Sequence, residues 1–215
     1  MKTLYTGIVC PDTTFVHIPL IEIHPVADNG RLLVAESEIE NYDYLLYTSR
    51  HAVTYFPPKC AHPTIVSIGN TTTEALRLAG AKTIKQVEKD DSYGVVDWFS
   101  RQKRGRVLIP RSNLALNIIP EGLRNLGYEV MTVTAYENRM PENIEKVDLD
   151  LIDTIIFTSP STIDNFIRLY GYLPADKQLL TRGRITEKHL QGKLKDTSSA
   201  CQIKNTNSKT KQQDI

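Results

Sequence analysis

The chain has few residues of the kinds that build disulfide frameworks or metal centres. Its cysteines are three, Cys10, Cys60 and Cys201. An odd number at wide spacing argues against both a disulfide framework and paired-thiol zinc sites, so ordinary reduced thiols are expected. The five histidines, His17, His24, His51, His62 and His189, show neither H-x-x-x-H spacing nor a carboxylate cluster, and no metal site is expected. No apolar run approaches the roughly 18 residues that would span a bilayer, so no membrane partner is expected. The start, "MKTLYTGIVCPDTT", lacks the apolar stretch and small-residue cleavage site of a secretory leader, and the expected location is cytoplasmic. Charge is balanced, with 26 Lys and Arg against 25 Asp and Glu. That balance gives no general attraction to nucleic acid, and an anionic partner must be held by local groups.

Nucleotide fingerprints are missing too. There is no G-x-G-x-x-G after the first strand and no G-x-x-x-x-G-K-[ST], so dinucleotides and P-loop nucleotides are poorly supported and no cofactor is expected. No Ser, His and acid trio stands out.

What the chain does have is a repeat. "YDYLLYTSRHAVTYF" (42–56) aligns without gaps on "IDTIIFTSPSTIDNF" (152–166), matching Asp43 with Asp153, Thr48 with Thr158, Ser49 with Ser159 and Phe56 with Phe166. Further on, "TIVSIGNTTTEAL" is answered by "QLLTRGRITEKHL", with Gly69 matching Gly183 and Thr72 matching Thr186 at a spacing of 114. A chain of 215 residues is right for two small domains, and the repeat distance matches one of them.

Local patterns give the elements. "YLLYT" (44–48), "TIVSIG" (64–69), "RVLIP" (106–110), "EVMTVTAY" (129–136) and "TIIFT" (154–158) read as strands. Ser49 and Ser159 stand where helices begin, Ser159 followed by Pro160 at the first helical position. Thr71 and Glu74 have capping-box spacing. Leu116, Ile119, Leu123 and Leu126 predict a helix kinked or restarted at Pro120 and ended by Gly127. Regular alternation of strand and helix predicts two similar α/β domains with parallel sheets and right-handed crossovers.

Hydroxyls at strand ends are explained by helix capping alone. Their repetition adds a second reading, since open α/β sheets bind ligands at the carboxyl ends of strands, where helix N-termini favour anions. Two domains facing across a cleft would aim Ser49, Thr72, Ser159 and Thr186 at one large anion. Arg111, Arg182 and Arg184 are further candidate anion contacts, against the ordinary role of a solvated surface arginine.

Through "PLIEIHP" (19–25), "YTSRHAV" (47–53), "IVSIGNTTTEAL" (65–76), "VLIPRSNLALNIIPEGLRNLGYEV" (107–130), "VTAYENR" (133–139) and "IIFTSPSTIDNF" (155–166), the chain resembles the uroporphyrinogen-III synthase family. The resemblance implies two flavodoxin-like or Rossmann-like α/β domains joined by a two-stranded ladder. Residues 25–137 would form the inserted domain, and 1–24 with 138–215 the discontinuous one. It also implies a cofactor-free lyase of tetrapyrrole biosynthesis. Hydroxymethylbilane, a flexible polyanion, loses its hydroxyl as water and closes with inversion of the last pyrrole. Tyr136 would be the proton donor, with packing at a domain hinge as the competing reading. Ser49, His51, Thr72, Arg111, Ser159, Ser161 and Thr186 would bind substrate.

Three features depart from the family pattern. "CPDTTFVHI" leaves room for little more than a helical turn, "RGRIT" replaces the second "IGPTT", and the polar "KLKDTSSACQIKNTNSKTKQQDI" is not expected to form a closing strand and helix. That tail reads as disordered from about Lys204. The reduced domain is expected to leave apolar sheet surface bare and to self-associate through it. The rival reading is a two-lobed binder of an anionic ligand without catalysis.

Overall fold

The computed structural model describes residues 2–59 and 62–209, with side chains placed through Asp196. The chain divides into two compact units, Met1–Glu22 with Arg139–Ile215 (unit 1) and Ile23–Asn138 (unit 2). It starts in unit 1 with β1 (Thr3–Tyr5) and β2 (Val16–His17), and β3 (Glu22–Pro25) leads into unit 2. There α1 (Gly30–Ser37), β4 (Tyr44–Tyr47), α2 (Arg50–Tyr55), β5 (Thr64–Ile68), α3 (Asn70–Leu78), β6 (Ile84–Val87), α4 (Ser92–Ser100), β7 (Arg106–Ser112), α5 (Ile118–Asn125) and β8 (Glu129–Arg139) follow in turn. The return to unit 1 adds β9 (Thr154–Phe157), α6 (Pro160–Tyr170), β10 (Gln178–Thr181) and α7 (Arg184–Lys209).

Unit 2 is a sheet of order β3-β8-β7-β4-β5-β6, parallel from β8 through β6. Alternating side chains give it two cores. Leu45 and Tyr47 pack with Ala35, Ala52, Val53 and Leu76 from α1, α2 and α3. Leu46, Val66, Val107 and Ile109 pack on the other face with Val95, Phe99, Ile119 and Leu123 from α4 and α5. Leu46, Leu108 and Leu123 are fully buried, each contributing roughly 1.5–3 kcal/mol by removal from water.

Unit 1 is a parallel sheet of order β10-β9-β1-β2. Among the described residues its core cluster gathers Leu4, Ile155 and Phe157 from the strands with Ile163, Phe166 and Leu190 from α6 and α7. No helix lies between β1 and β2, and on the strand positions that alternate with this core Leu180 is 42% exposed.

Local expectations failed in places. Gly69, with φ of +73°, caps α3, so Thr71 lies inside the helix and forms no capping box with Glu74. α5 starts at Ile118, which leaves Leu116 outside it and half exposed, and Pro120 sits in the first turn, where its missing N–H breaks no bond. α7 continues past Lys193 to Lys209 despite its polarity; in its first turns Leu190 and the part-buried Leu194 pack on the core of unit 1. The tail expected to lose order from about Lys204 therefore meets helical backbone to Lys209, and 210–215 lie outside the described residues.

Candidate functional site

In unit 2 the strands β8, β7, β4 and β5 are neighbours and parallel, so their carboxyl ends form one edge. Along it stand, in that order, Tyr136, Ser112, Ser49 and the Gly69 turn with Thr72. Ser49 is extended, caps α2, and its hydroxyl accepts from His51 N–H at 3.1 Å. The Tyr136 hydroxyl reaches across β7 and donates to Ser49 Oγ at 3.0 Å.

A β-bulge makes that reach possible. Arg111 pairs with Thr134 but Ser112 pairs with Tyr136, so β8 carries one extra residue at this point and its side chains are re-aimed. Ser112 is thereby brought beside the Tyr136 side chain. The phenol is 6% exposed, its ring stacked on Tyr55 at 6.0 Å and beside the His51 imidazole at 5.7 Å. Burial pushes the Tyr136 pKa up, the bonds to Ser49 and Ser112 pulling the other way, so the group is a neutral phenol near pH 7. Burial, and then the charge of Arg50, push the His51 pKa down.

Sequence reading overlooked Ser112, because "RVLIP" was taken to end at Pro110, whereas β7 continues two residues further. A Pro-Arg-Ser run ending a strand resembles a loop; only the long partner strand β8 betrays the extension. Arg111 does not stand free at the edge. Its guanidinium donates to Asn117 Oδ1 at 3.2 Å and to the Ala115 carbonyl, bracing the turn 113–117. Thr72 is 3% exposed, and its hydroxyl makes no hydrogen bond among the described residues.

Unit 1 has its own carboxyl edge, at β10, β9 and β1. Ser159 caps α6 in a box with Thr162, and its hydroxyl lies 2.9 Å from that of Ser161. Thr162 accepts from the backbone N–H groups of Thr158 and Ser159, both at 3.2 Å. Thr186, 4% exposed in the first turn of α7, matches Thr72 in making no hydroxyl bond among the described residues. The structure thus brings Ser49, His51 and Tyr136 together with Thr72 on one edge, and Ser159 and Ser161 with Thr186 on another.

Among the described residues, no three His, Cys, Asp or Glu side chains gather as a metal would need, and no helix is long and apolar enough to cross a membrane. Cys60 and Cys201 lie outside the residues whose side chains are described.

Two α/β units with parallel sheets, each ending its strands in hydroxyls beside helix N-termini, define a two-domain protein of the strand-end-site class. The family model for uroporphyrinogen-III synthase HemD matches residues 12–199, and the chain belongs to that family. It is 27% identical over 170 residues to the uroporphyrinogen-III synthase of Synechococcus elongatus, a match covering 72% of this chain and 64% of that protein. A 73-residue stretch is 36% identical to a Methanothermobacter thermautotrophicus relative and spans 31% of this chain and 29% of that one. The chain thus spans less than two thirds of the length of either relative. A crystal structure of a mutant uroporphyrinogen III synthase from Thermus thermophilus shares the fold, with a TM-score of 0.64 at 16% identity over 89% of this chain and 88% of that one.

Proposed function

We propose that the protein is a uroporphyrinogen-III synthase, which cyclises hydroxymethylbilane to uroporphyrinogen III with loss of water and inversion of the terminal pyrrole. One observation carries the reading: a buried, neutral phenol at a strand's carboxyl end, donating to Ser49 at 3.0 Å. The reaction begins when the hydroxymethyl C–O bond breaks and the departing hydroxyl takes a proton to leave as water. The azafulvene left behind is then attacked by the substituted carbon of the terminal pyrrole. A neutral phenol suits the first step as the proton source, and Tyr136 takes that role. After the spiro intermediate rearranges on the substrate's own carbons, the newly joined pyrrole carbon loses its hydrogen as a proton to regain aromaticity, and that proton restores the phenol. The protein's remaining task is orientation, since spontaneous closure gives the unrearranged isomer.

Substrate carboxylates are matched by Ser49, Ser159, Ser161, Thr72 and Thr186 at helix N-termini, where N–H groups and the helix dipole favour anions. The two threonines, little exposed and each in the first turn of its helix, have hydroxyls that make no hydrogen bond among the described residues and are open to a ligand. His51, beside the phenol and neutral through burial, is a contact rather than a charge. Arg111 acts through the turn it braces. A binder without catalysis is the less favoured reading, given the family and the intact phenol and serines.

The test is direct. Freshly generated hydroxymethylbilane is supplied to the purified protein, and the oxidised products are resolved into isomers. Predominance of type III supports the synthase; type I alone, at the spontaneous rate, refutes it.

A further inference from the structure

The residues of β8 that face the core under α1, α2 and α3 break the alternation of a strand. Val133 and Ala135, two apart, lie in that core as alternation requires, and Tyr136, one further on, lies in it as well. The bulge accounts for the break, because Arg111 pairs with Thr134 and Ser112 with Tyr136, which leaves Ala135 as the extra residue. Without it, Tyr136 would turn to the opposite face of the sheet, away from Ser49. The place of the phenol is therefore set by a shift in phase, and β8 has to be held in that phase beyond the bulge.

β7 cannot do this alone, since it stops at Ser112 while β8 runs on to Arg139. The next residue, Asn113, continues the pairing. Its backbone N–H donates to the Tyr136 carbonyl at 3.3 Å. Its side chain then takes over: Oδ1 accepts from the Asn138 backbone N–H at 2.8 Å, and Nδ2 donates to the Asn138 carbonyl at 3.4 Å. A primary amide has one acceptor and one donor side, so it can engage both backbone groups of a single residue as a neighbouring strand would. Asn113 is exposed, and an ordinary exposed asparagine spends these groups on water. Here they fasten the chain two residues past the phenol, as the backbone N–H fastens the tyrosine itself.

We propose that Asn113 is a positioning residue for the Tyr136 phenol, its side-chain amide clamping β8 beyond the bulge and so keeping the hydroxyl on Ser49. The effect on turnover rests on the reading of Tyr136 as proton donor, whereas the clamp is a matter of register alone.

Wild type, Asn113→Ala and Asn113→Asp are to be compared in three ways. Amide hydrogen exchange is read at Asn138, the Cζ resonance of Tyr136 is followed against pH in carbon-labelled protein with Tyr136→Phe as its assignment, and turnover of hydroxymethylbilane is resolved by isomer. In the alanine variant the Asn138 amide should exchange about tenfold faster or more. The Tyr136 resonance should move and titrate closer to the ordinary tyrosine value, as the phenol leaves its buried place. Its kcat should fall about tenfold with KM within about twofold, because a misplaced donor loses rate rather than binding. Aspartate keeps the 2.8 Å acceptor and should restore the exchange protection and kcat; its charge bears on KM for an anionic substrate, so kcat is the number compared. In a Tyr136→Phe background, Asn113→Ala should change kcat by less than about twofold.

Wild-type exchange and an unmoved Tyr136 resonance in Asn113→Ala overturn the clamp whatever the activity. A tenfold loss that persists in the Tyr136→Phe background overturns action through the phenol. If wild type makes no type III isomer while the resonance moves in Asn113→Ala, the clamp stands and the synthase reading falls. Should Asn113→Ala fail to fold, the isosteric Asn113→Leu, which keeps the shape and loses both bonds, carries the same expectations.

Discussion

Replacing Tyr136 by phenylalanine removes one oxygen and leaves the ring, which is stacked on Tyr55 at 6.0 Å and tilted toward His51 at 5.7 Å. The fold should barely notice. Ser49 keeps its bond from the His51 N–H, so the loss amounts to about 1 kcal/mol of hydrogen bonding, offset in part because no charged group is stranded. Turnover should suffer far more. General acid catalysis contributes roughly 10²- to 10⁴-fold, so kcat should fall by that factor, equivalent to about 2.7–5.5 kcal/mol of transition-state stabilisation. Binding of uroporphyrin should change by less than about threefold, since proton donation acts only in the transition state.

Single-turnover mixing with fresh hydroxymethylbilane, followed by isomer analysis, measures the first quantity. Fluorescence titration and thermal melting measure the other two. Burial raises the Tyr136 pKa, so wild-type activity should persist on the alkaline side to beyond the ordinary tyrosine value of about 10. Equal loss of turnover and product binding would refute the reasoning and assign the ring to packing. So would unchanged turnover.

Two further outcomes test the surroundings. His51 has a folded pKa below its unfolded value of about 6.5, because burial and Arg50 disfavour its charged form. Between those two pKa values the unfolded chain binds more protons, so stability is fully present above about 6.5 and declines as pH falls toward the folded value; His51→Gln should flatten that part of a Tm-against-pH curve. Phe166 is fully buried in the core of unit 1, packed edge-on against Phe157 at 5.4 Å, and Phe166→Ala should cost about 3–5 kcal/mol in denaturant unfolding, with a loss under 1 kcal/mol counting against that core as described.

The alternation of strands and helices was legible because parallel strands buried on both faces leave short apolar runs such as "YLLY" and "TIIF". Ser49 and Ser159 were legible for the same reason: a hydroxyl directly after such a run is a helix cap. The Thr71 box was misread because Gly69 at positive φ can start a helix without a side-chain cap. The bonds of Arg111 were not legible, because its partners, Asn117 and the Ala115 carbonyl, belong to a turn whose shape no local pattern encodes. Ser112 was missed because its role depends on pairing with a strand more than twenty residues away and on a bulge in that pairing. Sequence order names the strands; register decides which side chains meet.

Register also decides where the proton sits. Ser49 Oγ accepts from the His51 N–H at 3.1 Å and from the Tyr136 O–H at 3.0 Å. A serine oxygen has two lone pairs, and both are then occupied. The Ser49 proton is therefore the one left for an outside acceptor, with Tyr136 behind it as the group that replaces what Ser49 gives away. On the proposed function, the departing hydroxyl of hydroxymethylbilane would take the Tyr136 proton by one of two routes, directly or through Ser49 with Tyr136 reprotonating the serine in a relay. Ser49→Ala separates the two routes. In a relay it should lower turnover as far as Tyr136→Phe, about 10²-fold or more, and the double variant should be no slower than either single one. In direct transfer Ser49→Ala would retain most of its activity, because the freed phenol could turn its proton to the substrate, and the relay would be excluded.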